Sequence, residues 1–123
     1  MSKEKNTFSF EDLRVWQESR LLNKKIYQLT QKFPDEERFG LINQLRRASV
    51  SISLNIAEGK GRYSKKEFAQ FLYYARGSLF EVVSAVQVAE DMGYVTEVSD
   101  VYHNLHSIKA MLNALIKSLK SDC

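Results

Sequence analysis

Proline and cysteine are almost missing from this 123-residue chain, with one of each, and glycine occurs only five times. So few breakers leave the backbone little to interrupt it, which favours a small number of long regular elements. The lone cysteine, Cys123, has no intrachain partner, so no disulfide scaffold holds the fold and a reducing, cytoplasmic setting is expected. No apolar run approaches the roughly 18 residues that a membrane-crossing helix requires. The opening stretch MSKEKNTFSF has charge but no apolar segment, which predicts no secretory leader and a disordered tail over residues 1–8. Lysine and arginine are absent from residues 77–108, where Glu81, Glu90, Asp91, Glu97 and Asp100 give a net charge of −5.

The missing cations lie just upstream. Residues 38–76 hold eight, Arg38, Arg46, Arg47, Lys60, Arg62, Lys65, Lys66 and Arg76, against Glu58 and Glu67, for a net of +6. Such separation suits an anionic ligand, or lets the basic surface of one copy meet the acidic surface of another. With 44% hydrophobic residues the chain can build one domain-sized core, expected over residues 9–121.

Apolar spacing is helical throughout. Val15, Leu22, Ile26, Leu29 and Phe33 trace one stripe, with Ser9 as the expected N-cap and Pro34 as the stop. Asp35 is expected to cap a second helix whose core stripe is Ile42, Leu45, Ser49, Ile52 and Ile56. Val50 and Leu54 lie off that stripe and predict a further contact surface, such as another subunit. Gly59 suits the left-handed position that ends many helices, and Ser64 with Glu67 forms a capping box for the third. That helix carries Phe68, Leu72, Ala75, Leu79, Val82, Val86 and Ala89. Gly77 sits in its middle, and since mid-helix glycine costs about 1 kcal/mol, close packing against another helix is expected there. Gly93 stops the third helix and Thr96 starts a fourth, with Val98, Val101, Leu105, Ile108, Leu112, Leu115 and Leu119 inward. The pattern predicts an all-α, antiparallel up-down-up-down four-helix bundle.

Catalytic groups are not assembled by this sequence. Asp100, His103 and His106 make an Asp-x-x-His-x-x-His string, but a di-iron bundle needs Glu-x-x-His on two helices and further glutamates. A solvated helix face explains the string better, and neither metal nor cofactor is expected. A ribonuclease of the HEPN helical class would need an arginine shortly before a histidine on one helix, and none stands there. The serines of the second helix have no nearby histidine, and the glycine corner 59–61 lacks the strand and the Gly-Lys-Ser/Thr ending of a phosphate loop. No enzymatic activity and no small-molecule substrate are expected. The start of the third helix does expose free N–H groups beside Lys60, Arg62, Lys65 and Lys66, which suits an anion. With Arg46 and Arg47 these are the candidate nucleic-acid contacts, and Tyr63 could stack on an unpaired base. The competing account is a solvated face with intersubunit salt bridges.

The run Gln44-Leu-Arg-Arg-Ala48, Ser51, Asn55-Ile-Ala-Glu-Gly59, Gly61-Arg62, Ser64, Glu67-Phe68, Phe71-Leu72, Ala75-Arg-Gly-Ser-Leu79 and Glu81 resembles the proteins encoded by intervening sequences of 23S ribosomal RNA genes. Phe10, Leu13, Val15-Trp16, Phe33-Pro34 and Phe39-Gly40-Leu41 resemble them as well, so the likeness covers about residues 8–119. It implies a non-enzymatic four-helix bundle that assembles as a five-membered ring, with RNA or DNA binding inferred from basic surface. A similar bundle is the accessory protein of diversity-generating retroelements. The resemblance also implies structural roles for Asn55, Glu58, Gly59 and Gly77, with Asn55 and Glu58 bracing the corner or Glu58 pairing with Arg62. A homo-oligomer binding structured RNA is therefore the expectation, and a protein-interaction scaffold without nucleic acid is its alternative.

Overall fold

The computed structural model describes residues 8–121, so the expected tail over 1–8 lies outside it except for Phe8, as does Cys123. Four helices form, α1 (Arg14–Thr30), α2 (Leu41–Lys60), α3 (Lys65–Asp91) and α4 (Ser99–Ser121), with no strand among the described residues. Each helix packs against its chain neighbours, α4 closes the ring against α1, and the diagonal pairs stay apart. Side-chain hydrogen bonds give the direction of every pair. Asn23 meets Ser49 and Thr30 meets Arg46 across α1 and α2, while Ser51 meets Ser78 and Gln44 meets Glu81 across α2 and α3. Arg76 meets Asn113 and Glu90 meets Tyr102 across α3 and α4, while Lys25 meets Asp100 and Glu18 meets Asn104 across α1 and α4. In each set rising numbers on one helix meet falling numbers on the next. All four neighbouring pairs run antiparallel.

The expected stripes become the core. Leu22, Ile26, Leu45, Ile52, Ile56, Leu72, Val82, Val86, Ile108 and Leu112 are completely enclosed. Near the end of α4 the buried position shifts to Ile116, leaving Leu115 and Leu119 only partly covered. A polar seam runs beside this core between α1 and α2. Ser19 donates to the Trp16 carbonyl at 2.6 Å, and its oxygen lies 2.8 Å from that of Ser53. The Asn23 amide donates to Ser53 at 2.9 Å, and Ser49 donates to the Asn23 carbonyl at 2.7 Å. With the Ser19 proton committed to Trp16, Ser53 must donate to Ser19, which gives every hydroxyl one defined direction.

Helix ends depart from expectation for local reasons. The first helix does not start at Phe10 behind Ser9. Residues Ser9–Asp12 make a 3-10 turn, and extended Leu13 separates it from α1. The Phe10 ring meets the edge of Trp16 at 4.8 Å, and Gln17 donates to the Glu11 carbonyl, so packing fixes that entry. Asp35 opens only a 3-10 turn, Asp35–Glu37, and α2 begins at Leu41. Glu37 performs the capping instead: one carboxylate oxygen accepts the Leu41 N–H at 3.0 Å and the other accepts the Tyr94 hydroxyl at 2.8 Å. At the end of α3, Gly93 takes a φ of 78°, its N–H donates to Glu90 and the Tyr94 N–H donates to Ala89. This is the paired bonding that a left-handed glycine permits. α4 then starts at Ser99 rather than Thr96.

Glu37 and Tyr94 thus clip the α1–α2 loop to the α3–α4 loop, and each shifts the other. The Leu41 N–H first, then the Tyr94 hydroxyl, lower the Glu37 pKa, while the bond to Glu37 raises that of Tyr94. A lowered carboxylate stabilises the fold above its unfolded value, about 4.3, and loses that contribution as pH falls through the folded value. The raised phenol contributes below about 10 and loses its contribution as pH rises through the folded value. Urea melts across pH 3–7 are expected to show a steeper acid loss for the native chain than for Glu37→Gln. Parallel acid limbs would show that Glu37 carries none of the loss.

Candidate nucleic-acid interface

The six cations singled out in the sequence do not form one surface. Arg46 is held between α1 and α2: its Nε donates to Thr30 at 2.8 Å and its guanidinium sits 4.4 Å from the Tyr27 ring centre. Thr30 in turn donates to the Ile26 carbonyl, so Arg46 is tied into the helix pair. Arg47 is exposed one position on, lining a shallow depression of about 430 Å³ with Gln44, Ser51, Ser78 and Glu81. From Arg47 to Lys60 the helix rises about 20 Å, so the mid-helix arginines and the corner are separate places.

At the corner, Arg62 pairs with Glu58 at 2.6 Å and lies 4.6 Å over the Phe71 ring, and Lys60 lies 5.8 Å over Phe68. Glu58 therefore meets Arg62 rather than the backbone of the turn. Asn55 does not reach the corner either, because its amide donates back to the Ser51 carbonyl and hydroxyl at 2.9 and 3.0 Å. Tyr63 projects fully into solvent. Ser64 caps α3, accepting the Glu67 N–H at 3.1 Å.

Neither glycine has the role expected of it. Gly59 is not left-handed; it lies in the last turn of α2, and Gly61 follows as the cap with a φ of −82°. A Cβ at Gly59 would stand 2.7 Å from the Phe71 Cβ and 3.0 Å from the Phe68 ring, so α3 presses directly on this backbone. Gly77 is the reverse. Nothing lies within 4 Å of where its Cβ would be, so no helix of this chain packs closely there.

What sequence order concealed is a second group of cations. Because α3 and α4 run antiparallel, the end of α4 returns beside the start of α3. Lys65 and Lys66 line one depression with Lys120, and Arg76, Lys117 and Lys120 line the next. Tyr73 joins the two, with the Arg76 guanidinium 4.9 Å and the Lys120 ammonium 5.1 Å from its ring centre. Neither lining contains a carboxylate. Counting charge along the chain misses this cluster, whereas placing the end of α4 against the first half of α3 in an antiparallel register would have found it.

Asp100 of the Asp-x-x-His-x-x-His string pairs with Lys25 at 3.1 Å, and His103 and His106 are exposed. Among the described residues no three His, Cys, Asp or Glu side chains gather, and no helix is long and apolar enough to cross a membrane.

Comparison with known proteins agrees with this architecture. No curated protein is detectably similar. A crystal structure from Bacteroides thetaiotaomicron VPI-5482, of a protein with unknown function from the S23 ribosomal protein family, aligns with a TM-score of 0.60. Identity is 22%, and the alignment covers 87% of this chain and 95% of the other, so the likeness is one of fold. The family model for the 23S rRNA-intervening sequence protein matches residues 11–114, which reach into all four helices. By that match, this chain belongs to the 23S rRNA-intervening sequence protein family.

Proposed function

We propose that this protein is a cytoplasmic, non-enzymatic bundle that self-associates, as a five-membered ring, and binds structured nucleic acid, RNA before DNA, through its basic end. The observation that carries the binding reading is the exposed set Lys60, Arg62, Lys65 and Lys66 around the solvent-projecting Tyr63 at the α2–α3 corner. Lysine and arginine there attract phosphate, and an aromatic ring in water offers a face to an unpaired base. The family's description and that of the solved relative both name ribosomal terms, which supports RNA as the first ligand to try.

Self-association is supported by a different surface. Leu54 is 62% exposed on α2, and Tyr74 is 50% exposed on α3 beside Gly77. A mid-helix glycine that relieves no crowding within its own chain fits a close approach from outside it. If self-assembly were the whole function, Arg47 and the corner cations would face the acids of another copy instead of phosphate.

The test is a structured RNA titrated over a salt series, with an equal-length DNA duplex alongside and the oligomeric state measured throughout. Affinity is expected to fall steeply with salt, and Lys65→Glu with Lys66→Glu is expected to abolish RNA retention while the oligomer persists. An oligomer that dissociates in that variant, in a protein that never bound RNA at low salt, would assign the charges to assembly.

A further inference from the structure

We infer that copies of this chain meet head to tail, the outward ridge of α3 in one packing on the outward ridge of α2 in the next. Tyr74 then lies against Leu54, Gly77 against Val50 and Glu81 against Arg47. This contact rests on the proposed self-association and supplies the two faces that meet. The levels are set within one copy. Ser51 and Ser78 touch at 2.9 Å across the antiparallel α2 and α3. One turn toward the start of α2, Arg47 is level with Glu81, and the two line one depression. One turn the other way, Leu54 is level with Tyr74, and Val50 and Gly77 lie between. Each set of three is spaced three and four, so each makes one ridge, exposed except for half-buried Val50. Rotation about an axis parallel to the helices leaves every residue at its height. It therefore brings the two ridges together level by level.

The ridges are complementary at each level. Arg47 has no ion pair among the described residues, and Glu81 takes the neutral Gln44 amide, so each carries an unmatched charge to the contact. Val50 comes opposite Gly77, around which this chain leaves open space, so the two helices can approach closely there. Leu54 and Tyr74 are both exposed, and a depression of about 730 Å³ beside Leu54, with Tyr27 on its far wall, receives the Tyr74 ring. One ridge bears the cation and the other the anion, so neither pairs with itself. Each helix packs on its two chain neighbours, which makes α2 and α3 adjacent corners facing about 90° apart. A head-to-tail contact between faces so inclined turns at every step and closes a ring instead of extending as a filament. Arg47 then serves assembly, while the corner set remains the nucleic-acid contact.

The experiment measures self-association of the full chain by sedimentation equilibrium, with circular dichroism confirming the bundle in each variant. Arg47→Glu and Glu81→Arg are each expected to weaken association about tenfold or more, because each sets like charges opposite one another. An equal mixture of the two variants is expected to recover association, in complexes that contain both chains. Contacts between unlike chains again oppose a cation to an anion. Within either variant chain both positions carry the same sign, so a pair inside one chain cannot produce that recovery. Gly77→Leu is expected to abolish association while Tm is kept or raised, since leucine is the better helix former. Native-strength association in both charge variants, or a mixture that stays dissociated, would overturn the contact and leave the proposed self-association to another surface. A particle of only two copies would overturn the head-to-tail order, because a twofold axis joins the same ridges reciprocally. A native chain that stays monomeric at every concentration would overturn both the contact and the proposed self-association.

Discussion

Gly59→Leu is expected to destabilise the bundle by about 3 kcal/mol, on the order of 10 °C in Tm, in thermal or urea unfolding. The first carbon of any side chain there already stands 2.7 Å from the Phe71 Cβ and 3.2 Å from the Phe68 carbonyl. Both obstacles belong to the α3 backbone or sit directly on it, so no rotamer change clears them. Relief requires α3 to move away, which opens the packing of Phe68 and Leu72 behind it. Gly77→Ala is the matched control. Open space surrounds that position, so alanine is expected to raise the stability of the isolated chain by up to about 1 kcal/mol through helix propensity alone. If a second copy packs on Gly77, the same change weakens the oligomer in sedimentation while the monomer gains. Equal effects at the two glycines would refute the distinction.

Asn23→Leu is expected to cost about 2–3 kcal/mol, more than the removal of its two serine partners together. Asn23 accepts from Ser49 and donates to Ser53, and both serines are buried. Leucine strands the Ser49 proton and leaves Ser53 without its donor, and each unmet buried group costs about 1–3 kcal/mol. Ser49→Ala with Ser53→Ala leaves less behind, because Asn23 is partly open to water and Ser19 keeps its bond to the Trp16 carbonyl. Joining all three changes leaves only Ser19, still bonded to the Trp16 carbonyl, in the seam and is expected to recover much of the loss. A cycle of the three proteins against the native chain measures that coupling. Strictly additive costs would mean that the seam is not a connected network.

These two sites mark how far the residues alone can be read. The stripes Val15 to Phe33, Leu45 to Ile56 and Phe68 to Ala89 were legible, because helical period and burial obey the same geometry and the structure encloses those side chains. Serine at position 49 was legible as a core position too. That it belongs to a directed chain with Asn23, Ser53 and Ser19 was not, since the partners lie on two helices. Helix ends were less legible. Glu37 reaches the Leu41 N–H only because the loop folds back as a 3-10 turn, and Tyr94 arrives from another loop.

The candidate interface shows the same division. The sequence by itself determined four amphipathic helices, the small set of breaks between them, the basic excess over residues 38–76 and the family likeness, because each depends on neighbours along the chain. Tertiary structure alone decided which cations share a surface. It tied Arg46 into the α1–α2 pair, matched Arg62 to Glu58, and brought Lys120 beside Lys65 and Lys66 and Lys117 beside Arg76. It also assigned Gly59 to close packing and Gly77 to open space. The reason is one of distance: periodicity and composition report the residues within a turn or two, whereas charge clusters and steric clearances depend on which helix is folded alongside.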